Sequence, residues 1–458
     1  MPPATDRLLA SLPTDLPAVE RAARIPAGFV AAGATAGIKA SGNPDFALVA
    51  AIGDPVPAAA VFTPNRFAAA PVRLSRANLQ ATGGSAHAAG YAKAVIATSG
   101  SANAATGPAG DADQAAIGEA IAAALGTTPQ HVLHLSTGVI GTRLPVDKVS
   151  ATIARVAPGG LTATDAGLDA ASVSLCTTDS VKKSATVTVQ SPGAGGGMVA
   201  ITVTGICKGV GMIHPRMATM LSIVLTDATA SPDTLRDLLR GTAAVTWDQL
   251  SVDGDTSTND TVFVLASGAA GAASADTDPA ARDALATAIT AVARDLARQQ
   301  ARDGEGATAL ITCQVSGAAD DVDARAIARA VIASSLVKAA VHGKDANWGR
   351  IAGAAGNAVA AEAAVLEAAG LTPTEAQARA AQPARVDPAT LRIAIAGLVA
   401  YDGAKGGPTG IDKAAARIAM DAEEVLIRLD LGLGTGSGEA FGCPLTEGYV
   451  KENSEYTS

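Results

Sequence analysis

One threonine has a setting that could support chemistry. Thr219 lies in KGVGMIHPRMATMLSIVLTDA, residues 208–228, between a Gly/Pro-rich turn and an apolar run. A threonine in a buried strand is usually structural, because its branched Cβ suits the pleat. If the bond before it is cut, the freed α-amino group, with a pKa of about 7.7 to 8.0, can act as base for the neighbouring hydroxyl. The sequence therefore raises the hypothesis of a self-processed threonine nucleophile.

The surroundings of Thr219 do not indicate a conventional catalytic triad. His214 is the only histidine in the quoted stretch, and a lone histidine beside a proline is more often packed or solvated than catalytic. The run Gly209–Met217 predicts a tight turn, and a strained backbone there would assist an acyl shift at Ala218–Thr219. Cleavage is expected between these two residues.

The composition is typical of a globular α/β enzyme. Of 458 residues, 48% are hydrophobic and only 3% aromatic, so Ala, Val, Leu and Ile must build the core. The length predicts about two or three domains, or one long layered unit. The formal net charge of −9 disfavours a nucleic-acid or anionic-membrane partner, because such surfaces need clustered Lys and Arg. A small-molecule substrate is expected.

The cysteines and the N-terminus indicate a reducing compartment. Cys176, Cys207, Cys313 and Cys443 show no CxxC spacing, which predicts neither a zinc site nor a disulfide framework. The first 26 residues lack a signal pattern, and no run of about 18 apolar residues predicts a membrane span. The cytoplasm is the expected location.

Hydrophobic periodicity predicts the elements around Thr219. Short apolar runs alternate with Gly, Pro and Asn from Gly28, as strands and turns do. Residues 111–126 have helical spacing and end on Gly126, a C-terminal cap, and a strand should follow at HVLHLSTGVIG. SATVTVQ and MVAITVTGIC alternate at period two and predict a hairpin that leads into the Thr219 stretch.

Downstream of Thr219 the pattern is more helical. DALATAITAVARDLARQQ predicts an amphipathic helix, followed by a Gly turn and a strand in DGEGATALITCQV. Further helices are predicted within 320–340 and 373–381. The tail GYVKENSEYTS has no helical period and is predicted to be extended.

Four stretches together resemble one family. KGVGMIHPRMATML, SVDGDTSTNDTV from Ser251, VHGKDANWGRIAGAAG from Val341 and LSTGVIG from Leu135 are similar to motifs of the ornithine acetyltransferase family, the glutamate N-acetyltransferases. The resemblance extends from about Ile25 to the terminal EYTS. Four long motifs in one order are not expected by chance.

The resemblance implies a layered α/β/β/α fold, similar to that of a group of self-processing aminopeptidases. It implies an enzyme of arginine biosynthesis that cleaves itself into an N-terminal chain, residues 1–218, and a C-terminal chain, residues 219–458, with two copies of each in the assembly. An acetyl group would pass from N-acetylornithine to Thr219 and then to glutamate. No cofactor and no metal are implied, and it stays open whether acetyl-CoA is also a donor.

The resemblance also implies the site residues. Thr137 and Gly138 match the oxyanion-stabilising pair, where a hydroxyl and a backbone N–H would face the developing charge. Lys208 matches a substrate-contacting lysine that could pair with an α-carboxylate. Glu305 matches the acid that would receive the ornithine δ-ammonium. The other substrate contacts are Thr177, with Thr178 as the alternative alignment, Asn453, the terminal Ser458 and Thr219 itself.

The sequence departs from the family pattern at a few positions around the site. These are the stretch TSGSANA, with Thr98 and Ser101, and the residues Arg216, Lys344, Ala346 and Ser458. They leave the exact acyl donor and acceptor open.

Two other functions are compatible with parts of this pattern. A self-processing amidohydrolase or aminopeptidase of the same fold would release the acyl group to water, but Lys208, Glu305 and the NWGR segment favour an amino-acid acceptor. A nucleotide-binding loop at GLGTGSGEAFG, from Gly432, is disfavoured because no strand and helix with an acidic residue about 20 positions on accompany it.

Overall fold

Two β-sheets packed face to face form the centre of the computed structural model, which describes residues 16–83, 88–157, 159–214 and 220–454. The first sheet has four strands in the order β1-β2-β5-β6, and only β5 and β6 run parallel. The strands are β1 (Phe29–Ala34), β2 (Phe46–Ala51), β5 (Ala94–Ser101) and β6 (Val132–Val139).

The second sheet has six strands in the order β4-β3-β11-β9-β8-β7, and only β9 and β11 run parallel. The strands are β3 (Val56–Phe62), β4 (Ala89–Ala92), β7 (Lys183–Pro192), β8 (Met198–Lys208), β9 (Leu221–Thr226) and β11 (Thr261–Ala266). β7 and β8 are the hairpin predicted from the period-two pattern, and that prediction is confirmed.

Helices pack around both sheets, most of them on the outer faces, while the helices that carry Leu79 and Leu168 pack against the core between the sheets. In the first 302 residues they are α1 (Ala70–Gly83), α2 (Gly107–Leu125), α3 (Val146–Val156), α4 (Asp165–Leu175), α5 (Pro232–Val245) and α6 (Pro279–Arg302). α2 ends at the predicted Gly126, whose φ of +65° is the left-handed conformation that glycine adopts without strain.

Three apolar cores separate four layers. Along β2, Leu48 points outward to pack with α2, while the next residue, Val49, points inward to a core shared with Phe263 of β11. On β11 itself, Val264 points to the other side, where it packs with Leu285 of α6. The alternation follows from the period of two in strands. The predicted α/β/β/α layering is therefore confirmed.

A third sheet, of seven strands, is formed by residues between 250 and 442 and was not predicted. Its order is β10-β17-β12-β16-β13-β14-β15. The strands are β10 (Leu250–Ser251), β12 (Leu310–Ala318), β13 (Arg392–Ile395), β14 (Leu398–Asp402), β15 (Gly407–Pro408), β16 (Glu424–Asp430) and β17 (Gly436–Gly442). The accompanying helices are α7 (Asp321–Ala333), α8 (Ser335–His342), α9 (Trp348–Gly356), α10 (Ala363–Ala368), α11 (Pro373–Arg379), α12 (Lys413–Ala419) and α13 (Glu447–Ser454).

The glycines from Gly432 have a packing role in this third unit. A Cβ at Gly436, Gly438 or Gly442 would overlap atoms of α7 or of the residue before it, so glycine lets α7 lie directly on β17. The unit is joined to α6 by ion pairs, among them Arg298 to Glu424 at 2.8 Å.

The prediction of an extended tail is wrong, because residues 447–454 form α13. The hydroxyl of Thr446 accepts a hydrogen bond from the Tyr449 N–H at 3.3 Å and donates to the Gly306 carbonyl at 2.8 Å. This helix start is held by a distant turn, and helical periodicity carries no signal of such a contact.

Candidate active site

A cavity of about 270 Å³ lies where strands of the first two sheets end, and six of the predicted site residues line it. Its lining includes Thr137, Gly138, Thr177, Thr178, Lys208, Asn259, Glu305 and Asn453. Three larger cavities of about 520, 540 and 610 Å³ are lined by none of these residues. We therefore take the smaller cavity as the candidate active site.

The end of β6 supplies a hydroxyl and a glycine. Gly138 has a φ of +129°, and a Cβ there would overlap the backbone of Gly100 on the parallel neighbour β5, so only glycine fits. The Thr137 Oγ1 accepts a hydrogen bond from the Lys208 Nζ at 3.1 Å. Its own hydrogen stays available for another acceptor.

Lys208 is the last residue of β8 and is only 5% exposed. Its carbonyl accepts a hydrogen bond from the Gln300 side chain at 3.1 Å, which fixes the strand end. Lys208 pairs in register with Leu221 of β9. The strand that follows Thr219 and Met220 in sequence therefore lies directly beside this lysine.

Glu305 occupies the turn between α6 and β12 and is 8% exposed. Its carboxylate accepts hydrogen bonds from the Thr178 hydroxyl at 3.1 Å and from the Asn453 amide at 2.8 Å. A Cβ at Gly211 would overlap the same carboxylate. The site thus places a buried cation and a buried, oriented carboxylate in one cavity.

Both candidate threonines line the cavity, in different ways. Thr178 holds Glu305 through its hydroxyl, whereas the Thr177 N–H donates to Asp179 at 3.0 Å. The two residues are adjacent on one loop. Either alignment of the family motif therefore places a threonine in the lining of the candidate active site.

Sequence reasoning missed Asn259, Asp260 and Asp179 as individual residues. The Asn259 amide donates to the carbonyls of Ala102 at 2.7 Å and Ser136 at 2.8 Å, joining the loop after β10 to the end of the first sheet. The motif SVDGDTSTNDTV, which was noticed as a whole, contained the signal for Asn259 and Asp260.

Asp260 binds the backbone of Met220, the residue that follows the predicted nucleophile in sequence. Its Oδ1 accepts a hydrogen bond from the Met220 N–H at 3.1 Å, and that nitrogen is bonded to the carbonyl carbon of Thr219. Burial raises the pKa of this carboxyl well above its usual range. Asp260 therefore fixes the backbone immediately after position 219.

Three predicted residues lie outside the described residues, namely Ala218, Thr219 and Ser458.

The expectation that NWGR forms part of the acceptor site is wrong. Asn347 caps α9 by accepting the Arg350 N–H at 3.2 Å, and Trp348 stacks on Tyr401 with ring centroids 4.9 Å apart. None of these residues lines the candidate active site.

Within the described ranges, no group of three or more His, Cys, Asp or Glu side chains is arranged to hold a metal ion. Among the helices of the same ranges, none is both long and apolar enough to cross a bilayer.

The stacked layers, and a cavity lined by a buried lysine and a buried glutamate, are typical of an enzyme of the layered α/β class. The ArgJ family matches residues 30–458, and the chain belongs to this family.

The chain is 43% identical over 436 residues to the arginine biosynthesis bifunctional protein ArgJ of Thermosynechococcus vestitus, covering 94% of this chain and 96% of that protein. It is 40% identical over 437 residues to the protein of the same name from Thermus thermophilus, covering 95% and 100%. The crystal structure of ArgJ from Bacillus halodurans is 38% identical and covers 52% of this chain and 99% of that chain, with a TM-score of 0.44.

Proposed function

We propose that this protein transfers an acetyl group from N-acetylornithine to glutamate through an acetyl-threonine at Thr219, in arginine biosynthesis. The observation that carries the proposal is that buried Lys208 and buried Glu305 line one cavity, with the Thr137 hydroxyl next to the lysine. An N-acetylated diamino acid offers a carboxylate and an ammonium, which are the partners these two side chains need. The names of the ArgJ relatives support the pathway.

Self-cleavage is the first step of the proposal. The Thr219 hydroxyl attacks the Ala218 carbonyl, the acyl group moves from nitrogen to oxygen, and water hydrolyses the ester. The products are the chains 1–218 and 219–458, with a free amino group on Thr219. The hydrogen bond from Met220 to Asp260 supports this step, because it immobilises the chain next to the reacting residue.

Acetyl transfer then follows a double displacement. The Thr219 amino group takes the hydroxyl proton while the oxygen attacks the acetyl carbonyl, and the Thr137 hydroxyl and Gly138 N–H stabilise the oxyanion. Collapse of this intermediate expels ornithine, which takes the proton. Glutamate then attacks the acetyl ester through its amino group and regenerates the hydroxyl.

Charge pairing sets the substrate. Lys208 binds the α-carboxylate that donor and acceptor share, and Glu305 binds the δ-ammonium of ornithine. The Thr178 hydroxyl and the Asn453 amide hold the Glu305 carboxylate in one orientation. The acceptor glutamate brings no ammonium to this end of the cavity, so Glu305 favours the donor.

We include three further features in the proposal. Acetyl-CoA is a second acetyl donor, in keeping with the word bifunctional in the relatives' names. Two copies of each chain form the assembly. The enzyme acts in the cytoplasm, which suits its four free cysteines.

The test combines mass analysis with a transfer assay. Purified protein should yield two chains, the second beginning TMLSIV, and should move labelled acetyl from N-acetylornithine to glutamate with ping-pong kinetics. Thr219→Ala should be uncleaved and inactive. An intact single chain in active protein would contradict the cleavage. Acetate release at the same rate without glutamate would favour the amidohydrolase alternative.

A further inference from the structure

One buried carboxylate joins two walls of the candidate active site. Asp179 lies between α4 and β7, and its side chain has no exposed surface. Its Oδ2 accepts the Thr177 N–H at 3.0 Å, and its Oδ1 accepts the Gly209 N–H at 2.9 Å. Asp179 therefore connects the loop that carries Thr177 and Thr178 to the end of β8 that carries Lys208.

The charge of this carboxylate is compensated inside the protein. The Lys183 ammonium, also without exposed surface, donates to Asp179 Oδ1 at 2.7 Å and to Asp303 at 2.6 Å. Burial alone would raise the pKa of Asp179, but the ammonium groups of Lys208 and Lys183 and the Gly209 N–H lower it to about 2. The group is an ionised acceptor at neutral pH.

Only a carboxylate satisfies this geometry. Each of its two oxygens accepts one backbone N–H, so both terminal atoms of the side chain must be acceptors. An asparagine would turn an NH₂ toward one of the two N–H groups and leave that donor buried without a partner. The residue type is thus matched to the task of holding two separate segments.

We propose that Asp179 is a positioning residue for substrate binding, which fixes the Lys208 ammonium relative to the Thr177–Thr178 loop. Through Thr178 the same link reaches the Glu305 carboxylate. The distance between the site's cation and its anion is therefore set by a residue that does not line the cavity. The identity of the substrate in this inference rests on the proposed function.

Asp179→Asn is the test, with Asp303→Asn as the matched control. Asp303 shares the same lysine, but its carboxylate accepts the N–H groups of Ser180 and Val181, whereas those of Thr177 and Gly209 bond to Asp179. In Asp179→Asn the KM for N-acetylornithine should rise at least tenfold, with kcat per active site falling less than threefold. In Asp303→Asn the KM should change less than threefold.

A purely structural role gives a different result. It would lower the melting temperature and the active fraction in both variants and leave KM unchanged, and this outcome would overturn the proposal. Active sites are counted by the acetyl burst, so a loss of folded protein is separated from a loss of binding.

Hydrogen exchange gives a readout that needs no substrate. Peptides that contain Thr177 and Gly209 should exchange at least tenfold faster in Asp179→Asn and at the wild-type rate in Asp303→Asn. Equal exchange in all three proteins would overturn the proposal even if wild-type enzyme transfers acetyl. If exchange is faster in Asp179→Asn but the wild-type enzyme transfers no acetyl group, the result would count against the proposed function alone.

If Asp179→Asn is insoluble, the double variant Asp179→Asn/Lys183→Gln removes one buried charge of each sign. It is subjected to the same kinetic and exchange measurements, with the same outcomes supporting or overturning the proposal.

Discussion

The Lys208 ammonium lies 3.1 Å from the hydroxyl oxygen of Thr137, and both side chains are buried. Lysine can only donate, so the threonine oxygen accepts and its hydrogen can point to a second acceptor. The residue expected to bind the substrate carboxylate thus orients the residue expected to stabilise the oxyanion.

Thr137→Ala should therefore slow acylation by about 10² to 10³, because one preorganised donor to the oxyanion is lost. KM for N-acetylornithine should change little, and Thr137→Ser should keep most of the rate. The measurement is the acetylation burst in single turnover. A raised KM with normal kcat would reassign Thr137 to substrate binding.

Glu305→Gln should remove the preference for a basic donor. The ratio of kcat/KM for N-acetylornithine to that for an acetylated amino acid with a neutral side chain should fall at least tenfold, about 1.4 kcal/mol. KM for glutamate should not rise, since the acceptor brings no ammonium to this carboxylate. Equal losses for both donors would show that Glu305 supports the fold or the nucleophile instead.

Gly211→Ala tests the same carboxylate without changing it. The added methyl group would overlap the Glu305 side chain, which must move away from Thr178 and Asn453. Use of N-acetylornithine should fall at least tenfold, while thermal stability stays near that of the wild type, because a long side chain can yield. Gly353→Ala, where a Cβ meets nothing within 4 Å, is the control. Unchanged donor preference in Gly211→Ala would contradict the described position of Glu305.

Asp260 should control self-cleavage. In Asp260→Ala the Met220 N–H loses its buried acceptor, and cleavage at Ala218–Thr219 should slow at least tenfold. Asp260→Asn keeps a carbonyl oxygen at the same place and should cleave at close to the wild-type rate. Denaturing gels taken at intervals after synthesis report the uncleaved fraction. Complete cleavage of folded Asp260→Ala at the normal rate would show that this bond is dispensable.

Asp179 should also shape the stability of the protein in acid. Its pKa is about 2 in the folded protein, below the usual value of about 3.9 in unfolded chains. The ionised group therefore stabilises the folded state above about pH 4, and this contribution is lost as the pH falls toward 2. The wild type should lose roughly 2 kcal/mol more unfolding free energy between pH 6 and pH 2 than Asp179→Asn. Urea titrations at both pH values measure this, and parallel losses would refute it.

Local patterns were sufficient to predict much of the central fold. The alternation in β7 and β8 and the cap at Gly126 report on contacts between near neighbours in sequence, and both were predicted. α13 was not, because its start depends on Gly306, which lies 140 positions away. Sequence periodicity carries no information about such a partner.

In the candidate site too, some residues could be predicted from sequence motifs and others could not, because their contacts are distant in sequence. Thr137, Gly138, Lys208 and Glu305 were predicted through motif resemblance, and the fold places them in one cavity. Asp179 was not predicted, because its carboxylate binds two backbone N–H groups, one of them 30 residues away in sequence. A side chain that binds only backbone groups leaves no recognisable motif. NWGR was misassigned because a recognisable motif does not reveal whether its aromatic ring packs on a neighbour or on a ligand.

The strand order of the six-stranded sheet has a consequence for assembly. β3, β4, β7 and β8 belong to residues 1–218, whereas β9 and β11 belong to residues 219–458 and lie in the middle, between β3 and β8. The sheet is complete only when both segments are present, so the cleavage proposed at 218–219 would have to follow folding. The two proposed products would then share one sheet, with their strands interleaved. They should stay together at any dilution, and their separation rate should equal the rate at which the sheet itself unfolds.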